Sequence, residues 1–294
     1  MKLGTRPRPT TDAATLYDAA AAHATAQIVE DYSTSFSRAC RLLAEPVRTH
    51  VRSIYGLVRL ADEVVDADTL DLSPAERATT LDDLEAQTAY AMARGFSTNL
   101  VVHAFAQTAR TCGIGSDLVA PFFASMRTDL ERQEHDDVSL DAYVHGSAEV
   151  VGLMCLRAFL VDEPEAQARY DELRTGAERL GAAFQKVNFL RDIAADHDNL
   201  GRTYFPGVVP QGLTDARRDA LLDDVDADLS AAAASIAHLP ASSRRAVRCS
   251  HDLFAALSHR LRTTPAHEIG ARRVSVSGPV KARIVLRAML LGTR

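Results

Sequence analysis

Two short stretches of this 294-residue chain place carboxylates at the spacing of helical turns. In Arg59-Leu60-Ala61-Asp62-Glu63-Val64-Val65-Asp66, a helix brings Arg59, Asp62 and Asp66 to one face, surrounded by Leu60, Ala61, Val64 and Val65. The second runs from Gln185 to Asp196. There Gln185, Asn188, Asp192 and Asp196 form a polar stripe flanked by Val187, Phe189, Leu190 and Ile193, with Arg191 beside it. A solvated helix follows its acids with lysines. Here the neighbours are apolar, so the carboxylates are expected to line a cleft inside a bundle. Like charges one turn apart repel and raise each other's pKa unless a cation neutralises them. Magnesium, with manganese as a substitute, suits such a site. It prefers hard oxygen donors and takes one or two carboxylates together with substrate phosphates, whereas zinc and iron favour other ligands. One acidic pair is a common surface feature. Two matching pairs, each with an arginine, point to paired metal–diphosphate sites.

The elements that must position these residues are helices. Gly and Pro together make only 26 residues (15 and 11), Trp is absent and 47% of the chain is hydrophobic, which favours helices with few turns. Apolar positions recur with helical period, as in Ile54, Leu57, Val58, Ala61 and Val65. About ten helices are expected by that criterion. Breaks fall at Leu72-Ser73-Pro74, Gly113 to Gly115, Glu163-Pro164, Pro206 to Gly212, His238 to Pro240 and Ser277 to Pro279. Ser73-Pro74-Ala75-Glu76 reads as a capping box at a helix start. No linker or repeat interrupts the chain, so one all-α domain over 1–294 is expected, with 1–12 a flexible tail and 272–294 a basic C-terminal helix.

Charge and composition exclude several functions. A net charge of −6 argues against a nucleic-acid binder. The N-terminus has no apolar run of a secretory signal or anchor, and the stretch from Val150 to Val161 is too short to span a bilayer and carries Arg157. A cytoplasmic protein is expected. Cys40, Cys112, Cys155 and Cys249 have no zinc spacing and read as buried, reduced thiols. Gly113-x-Gly115 lacks the third glycine of a dinucleotide fingerprint. His251 and His259 read as surface residues, and Asp223 to Asp228 as a solvated acidic face.

Beyond the two acidic stretches, the chain contains Tyr32-Ser33-Thr34-Ser35-Phe36, Tyr55 ahead of Arg59, Tyr143 to Gly152, and Gly201-Arg202-x-Tyr204-x-Pro206 after Asp196. In order and spacing these motifs resemble those of the phytoene/squalene synthase family, the head-to-head prenyl transferases, from about Ile28 to Arg287. The resemblance implies a class I isoprenoid (terpenoid) synthase bundle with a central cavity, the two aspartate faces opposing each other at its mouth. It implies that Asp62, Asp66, Asn188, Asp192 and Asp196 hold the metal, and that Ser33, Ser35, Tyr55, Arg59, Gln185, Asn188, Arg191 and Arg273 bind the prenyl diphosphate. Tyr143 joins the aspartates as a catalytic residue. The implied reaction is condensation of two geranylgeranyl diphosphates to phytoene through a cyclopropyl diphosphate, without NADPH. A squalene or dehydrosqualene synthase acting on farnesyl diphosphate is the alternative, and a catalytically silent assembly protein is the alternative of another class.

The chain departs from the family pattern at His145, where a second Tyr is usual, at Glu149, where a small Gly is usual, and at Ala195, where an acid often stands. His145 and Glu149 are expected at the pocket wall. Phe36, Ala148, Leu153 and Phe189 are expected to line the tube that measures the prenyl tail. From Arg272 onward Arg272, Arg273, Lys281, Arg283, Arg287 and Arg294 occur without an acid, interleaved with Val280, Ile284, Val285, Leu286, Met289 and Leu290. Such a segment fits either a last helix packed on the bundle with a basic outer edge or a helix lying on a membrane surface. No obligate protein partner is implied.

Overall fold

Apolar residues at three- and four-residue spacing decide the architecture, as the helix over Val47–Asp66 shows. Its buried positions include Val47, Val51, Ile54, Leu57, Ala61, Val64 and Val65, while Arg52, Tyr55, Arg59, Asp62 and Asp66 on the other side stay partly accessible. Each Ile or Leu so buried contributes roughly 1.5–3 kcal/mol.

The computed structural model describes residues 13–66 and 72–290, apart from the side chains of residues 13, 14, 34, 35 and 290. The expected tail over 1–12, Arg294 and the side chains of Ser35 and Leu290 therefore lie outside the described residues. Within them the chain forms α1 (Ala13–Tyr32), α2 (Thr34–Cys40), α3 (Val47–Asp66), α4 (Pro74–Arg94), α5 (Leu100–Cys112), α6 (Ser116–Glu131) and α7 (Asp137–Val144). A single π-helical turn, His145–Glu149, leads into α8 (Val150–Phe159). There follow α9 (Ala166–Leu200), α10 (Asp215–Ile236), α11 (Ala241–Arg262), α12 (Ala266–Ile269) and α13 (Gly278–Leu290). No strand occurs among the described residues, and the fold is all-α. The helices beyond the ten expected are the short ones, α2, α7 and α12, of 7, 8 and 4 residues, below the length at which helical periodicity shows.

Local signals set the boundaries. Ser73 and Glu76 form the reciprocal capping box, with the Glu76 carboxylate accepting from the Ser73 N–H at 2.8 Å. Gly113 and Gly201 close α5 and α9 in the left-handed conformation, at φ 70° and 66°. One hydrophobic core gathers α3 to α6 and α8 around Phe105, Phe122, Phe123, Leu153 and Met154; another joins α9, α10 and α11 around Phe189, Leu190, Tyr204 and Leu222. Two glycines bring the helix containing the π turn close against α9. A Cβ on Gly181 would lie 2.5 Å from the Ala148 carbonyl oxygen, and one on Gly152 2.6 Å from that of Ala177.

Two expectations need correction. Asp223 to Asp228 is not a solvated face throughout, because Asp228 is buried and takes ion pairs from Arg179 at 3.0 Å and Lys186 at 2.9 Å. His251 is not a surface residue, since its ring is 12% exposed and its Nε2 lies 3.1 Å from the Leu229 carbonyl oxygen; His259 is exposed. The four cysteines are free thiols. Cys40, Cys112 and Cys249 are buried and Cys155 partly so, and burial pushes Cys40, Cys112 and Cys155 up to about 12, too high for reactive thiolates.

Candidate active site

Both acidic motifs stand where a helix ends. Asp62 and Asp66 occupy the last turns of α3, and Asp192 and Asp196 the last turns of α9. Unsatisfied carbonyl groups give a helix C-terminus partial negative charge, so carboxylates there sit in a field that favours a cation. Arg202 answers part of it. Following the left-handed Gly201, its N–H donates to the Asp196 carbonyl at 3.0 Å, and its guanidinium donates to Asp66 Oδ1 at 2.6 Å and to the Val65 carbonyl at 3.1 Å. The pairing of Thr203 N–H with the Gln133 carbonyl, 2.7 Å, pins this segment to the end of α6.

The same segment meets a fifth acid. Asp129 of α6 accepts from the Tyr143 hydroxyl at 2.7 Å and the Tyr204 hydroxyl at 3.3 Å, with Arg202 Nη1 3.8 Å away. Tyr143, Tyr204, Phe189 and His135 stack around it, Phe189 and Tyr204 with ring centroids 3.9 Å apart.

Arg202, bonded both to the Asp196 carbonyl and to the Asp66 carboxylate, brings the ends of the two motifs together. Burial first, and then the neighbouring Asp66, pushes Asp62 up to about 7. Burial, then Asp192, and then Asp66 from the other motif push Asp196 up to about 7. Asp129 rises to about 6 through burial, with Arg202 and the two tyrosine hydroxyls opposing the shift. Asp192 instead has cations: Arg191 beside it, and Arg273 with Nε 2.8 Å from Oδ1.

The remaining predicted residues flank these acids. The Arg59 guanidinium lies 4.4 Å over the Tyr32 ring and donates to Glu63 at 2.5 Å, while its Nε is buried without a partner. Tyr55 stacks on Phe36 at 4.8 Å, its hydroxyl against Ser33, and burial raises its pKa. Ser33 caps α2 by accepting from the Phe36 N–H at 3.3 Å. Gln185 is half-buried, three residues before Asn188 on α9.

A magnesium ion fits these residues on two observations. Asn188 Oδ1 is buried with no hydrogen-bond partner, a hard-oxygen donor left free one turn before Asp192, and the raised carboxyl groups are those a cation would relieve. Among the described residues no three His, Cys, Asp or Glu side chains converge on one point. Each motif offers two carboxylates, the number magnesium takes from a protein when phosphates complete its shell.

Several expected pocket positions lie elsewhere. His145 and Glu149 pair with each other across the π turn at 2.9 Å; His145 is 44% exposed, on the outer side that carries exposed Asp141 and Ala142. They form a side-chain contact at the outer edge and not a pocket wall. Ala148 is buried, with its backbone carbonyl against Gly181 of α9, and Leu153 is enclosed in the core. Phe189 belongs to the aromatic stack on Tyr204, whereas Phe36 is partly accessible. Sequence reasoning passed over Asp129, and it gave no role to Arg202 and Tyr204. The signal for Asp129 was present: it follows Phe122, Ser125 and Met126 on the buried face of α6 at helical spacing. Two clefts, about 450 Å³ between α6 and α7 and about 710 Å³ between α11 and α13, are not lined by the paired aspartates.

Comparison with known proteins identifies the fold and the family. The chain is 27% identical over 284 residues to a phytoene synthase from Mycobacterium tuberculosis, covering 90% of this chain and 89% of that one. It is 30% identical over 183 residues to a 4,4'-diapophytoene synthase from Staphylococcus haemolyticus, covering 61% of this chain and 60% of that protein. The fold is that of a dehydrosqualene synthase crystallised with a ligand, at TM-score 0.75 and 18% identity over 94% of this chain and 98% of that one. Squalene synthase HpnC from Alicyclobacillus acidocaldarius shares it at TM-score 0.72 and 18% identity, over 88% and 97% of the two chains. The squalene/phytoene synthase family model matches residues 29–279, and with it the chain belongs to that family of prenyltransferases.

Proposed function

We propose that the protein joins two geranylgeranyl diphosphates head to head to give phytoene, with magnesium as cofactor and no external reductant. The observation that carries this reading is the meeting of two carboxylate pairs at the C-terminal ends of α3 and α9, each within the other's field, with a free Asn188 oxygen beside one of them. Asp62 and Asp66 on one side, and Asn188, Asp192 and Asp196 on the other, would hold Mg²⁺, which when bound neutralises the leaving diphosphate.

The chain's own residues do the rest. Arg59, Arg191 and Arg273, with Tyr55 and Ser33, bind phosphate oxygens and orient the C1–O bond toward the acidic mouth; guanidinium groups suit this because they present paired donors. When that bond breaks, the electron pair leaves with the diphosphate, the allylic cation alkylates the double bond of the second substrate, and loss of a proton from C1 of that substrate closes the ring of a cyclopropyl diphosphate. A second ionisation rearranges it to the linear product with loss of a proton. Asp129 fixes the Tyr143 hydroxyl, and the stack of Tyr143, Phe189 and Tyr204 keeps water from the cation. Partly accessible Phe36, Val58, Val151, Cys155 and Phe184 offer apolar surface to the tails.

The second reading is a thirty-carbon product from farnesyl diphosphate, favoured by the diapophytoene synthase among the relatives. Incubation with each prenyl diphosphate and Mg²⁺, with and without NADPH, followed by mass analysis of the extracted hydrocarbon, separates the two. A forty-carbon hydrocarbon with a conjugated triene at its centre, formed from geranylgeranyl diphosphate without NADPH, is expected. A thirty-carbon product would install the second reading, and absence of any coupled product would overturn prenyl transfer.

A further inference from the structure

The C-terminal helix carries a surface that the acidic mouth does not use. α13 packs on α11, and between them lies the groove of about 710 Å³ lined by Arg248, Asp252 and Ala255 from α11 and by Arg283, Ile284 and Arg287 from α13. Arg245 stands one turn before Arg248 and is exposed like it. At the start of the basic segment, Arg272 and Arg273 have carboxylate partners in Glu268 and Asp192. Arg245, Arg248, Lys281, Arg283 and Arg287 form no ion pair among the described residues, and the groove's one acid, Asp252, lies 3.1 Å from His251 Nδ1.

Apolar surface accompanies this charge. Leu286 and Met289 are 57% and 48% exposed. At 100° per residue they share one outward stripe with Ala282, bordered by Arg283 and Arg287 on one side and by Lys281 on the other. Water solvates the cations but gains nothing from the stripe. A soluble polyanion would engage the arginines and leave the stripe wet; an apolar protein partner would cover the stripe and strand unpaired arginines. An anionic lipid surface satisfies both, since headgroup phosphates meet the arginines while leucine and methionine enter the acyl boundary. The chain as a whole carries −6, so such a surface repels the rest of the protein and attracts it here, which fixes the orientation. No helix among the described residues is long and apolar enough to cross a membrane, so the contact is peripheral.

We propose that α13 and the adjoining edge of α11 are a docking surface for a bilayer rich in anionic phospholipid, with Leu286 and Met289 inserted and Arg248, Arg283 and Arg287 holding lipid phosphates. The proposal does not depend on the reaction assigned to the acidic mouth.

The test is co-sedimentation of the full chain with large vesicles of phosphatidylcholine alone or mixed with phosphatidylglycerol. Binding is expected only to the mixed vesicles, weakening as salt rises. The double reversal Arg283→Glu/Arg287→Glu should lower partitioning by roughly tenfold or more. Leu286→Ser/Met289→Ser should also lower it about tenfold, since the buried apolar area is lost. Arg217→Glu, an exposed arginine of α10, should change nothing. Circular dichroism and melting of each variant separate lost docking from lost folding. Equal binding to both vesicle types, no binding at low salt, or full binding by the Leu286→Ser/Met289→Ser variant would overturn the proposal, the last by reducing the surface to a patch for any polyanion.

Discussion

The molecule contains two clusters of acids on helices, one at the ends of α3 and α9 and one along α10, and of these acids only Asp62 and Asp196 of the first form no ion pair among the described residues. On α10, Asp228 takes Arg179 and Lys186, Asp224 takes Lys186, and Asp223 and Asp226 share Arg262, with Ser258 donating to Asp226 at 2.6 Å. At the mouth, Arg202 serves Asp66 and lies near Asp129, while Asp62 and Asp196 are pushed up to about 7 by burial and by their neighbours. A cluster supplied with its own cations holds helices together. Asp62 and Asp196, left without an ion pair, are the groups that a bound magnesium ion, as proposed, would neutralise. The difference lies in the partners and not in the acids, which have similar spacing in both places.

The largest effect that would sharpen this contrast is on turnover. Asn in place of Asp62, Asp66, Asp192 or Asp196 should lower product formation on the order of 10²-fold or more, because each removes a ligand that stabilises the leaving group. Asp224→Asn should leave turnover per folded molecule unchanged. Full activity in EDTA, or an equal loss at Asp224, would dissolve the distinction.

Stability should respond in the opposite sense. Asp228→Ala removes a buried carboxylate that pairs with Lys186 and Arg179, leaving Lys186 to Asp224 and Arg179 to water, and should cost about 2 kcal/mol, read from the urea midpoint at constant slope. Asp62→Asn removes a carboxyl group whose charged form is disfavoured by burial, and should leave the metal-free protein as stable as before or more so.

A smaller effect concerns pH. Asp62 and Asp196 hold protons in the folded protein up to about 7, well above the range in which they ionise when unfolded, so the folded state binds more protons through that window. Stability of the metal-free protein should therefore be fully present below about pH 4 as far as these groups are concerned, and be lost as pH rises through 7. Magnesium bound as proposed would compete with those protons. Its stabilisation, roughly 2–6 °C in melting temperature, should be larger at pH 8 than at pH 6. A shift independent of pH would place the ion elsewhere.

The smallest expected difference lies at Arg59. Arg59→Ala should weaken inhibition by inorganic diphosphate more than Arg59→Lys does, because lysine keeps a point charge but loses the paired donors. Equal losses would assign Arg59 to packing on Tyr32.

What the sequence by itself determined was local. Helix class, the capping box at Ser73, the glycine stops and the two aspartate faces follow from spacings of three and four residues, which one helix enforces without reference to the rest of the chain. The motif order likewise carried the family. What only the tertiary structure decided was which faces meet. Arg202 reaches Asp66 across 136 residues, and Asp129 draws in Tyr143 and Tyr204 from two other segments. The fate of Asp228 depended on Lys186 standing 42 residues away, and that of His145 and Glu149 on which side of the π turn α9 covers. Helical periodicity tells which residues share a face. It does not tell whether that face meets a cation, a carboxylate or water, because those partners come from helices whose packing is set by the whole core.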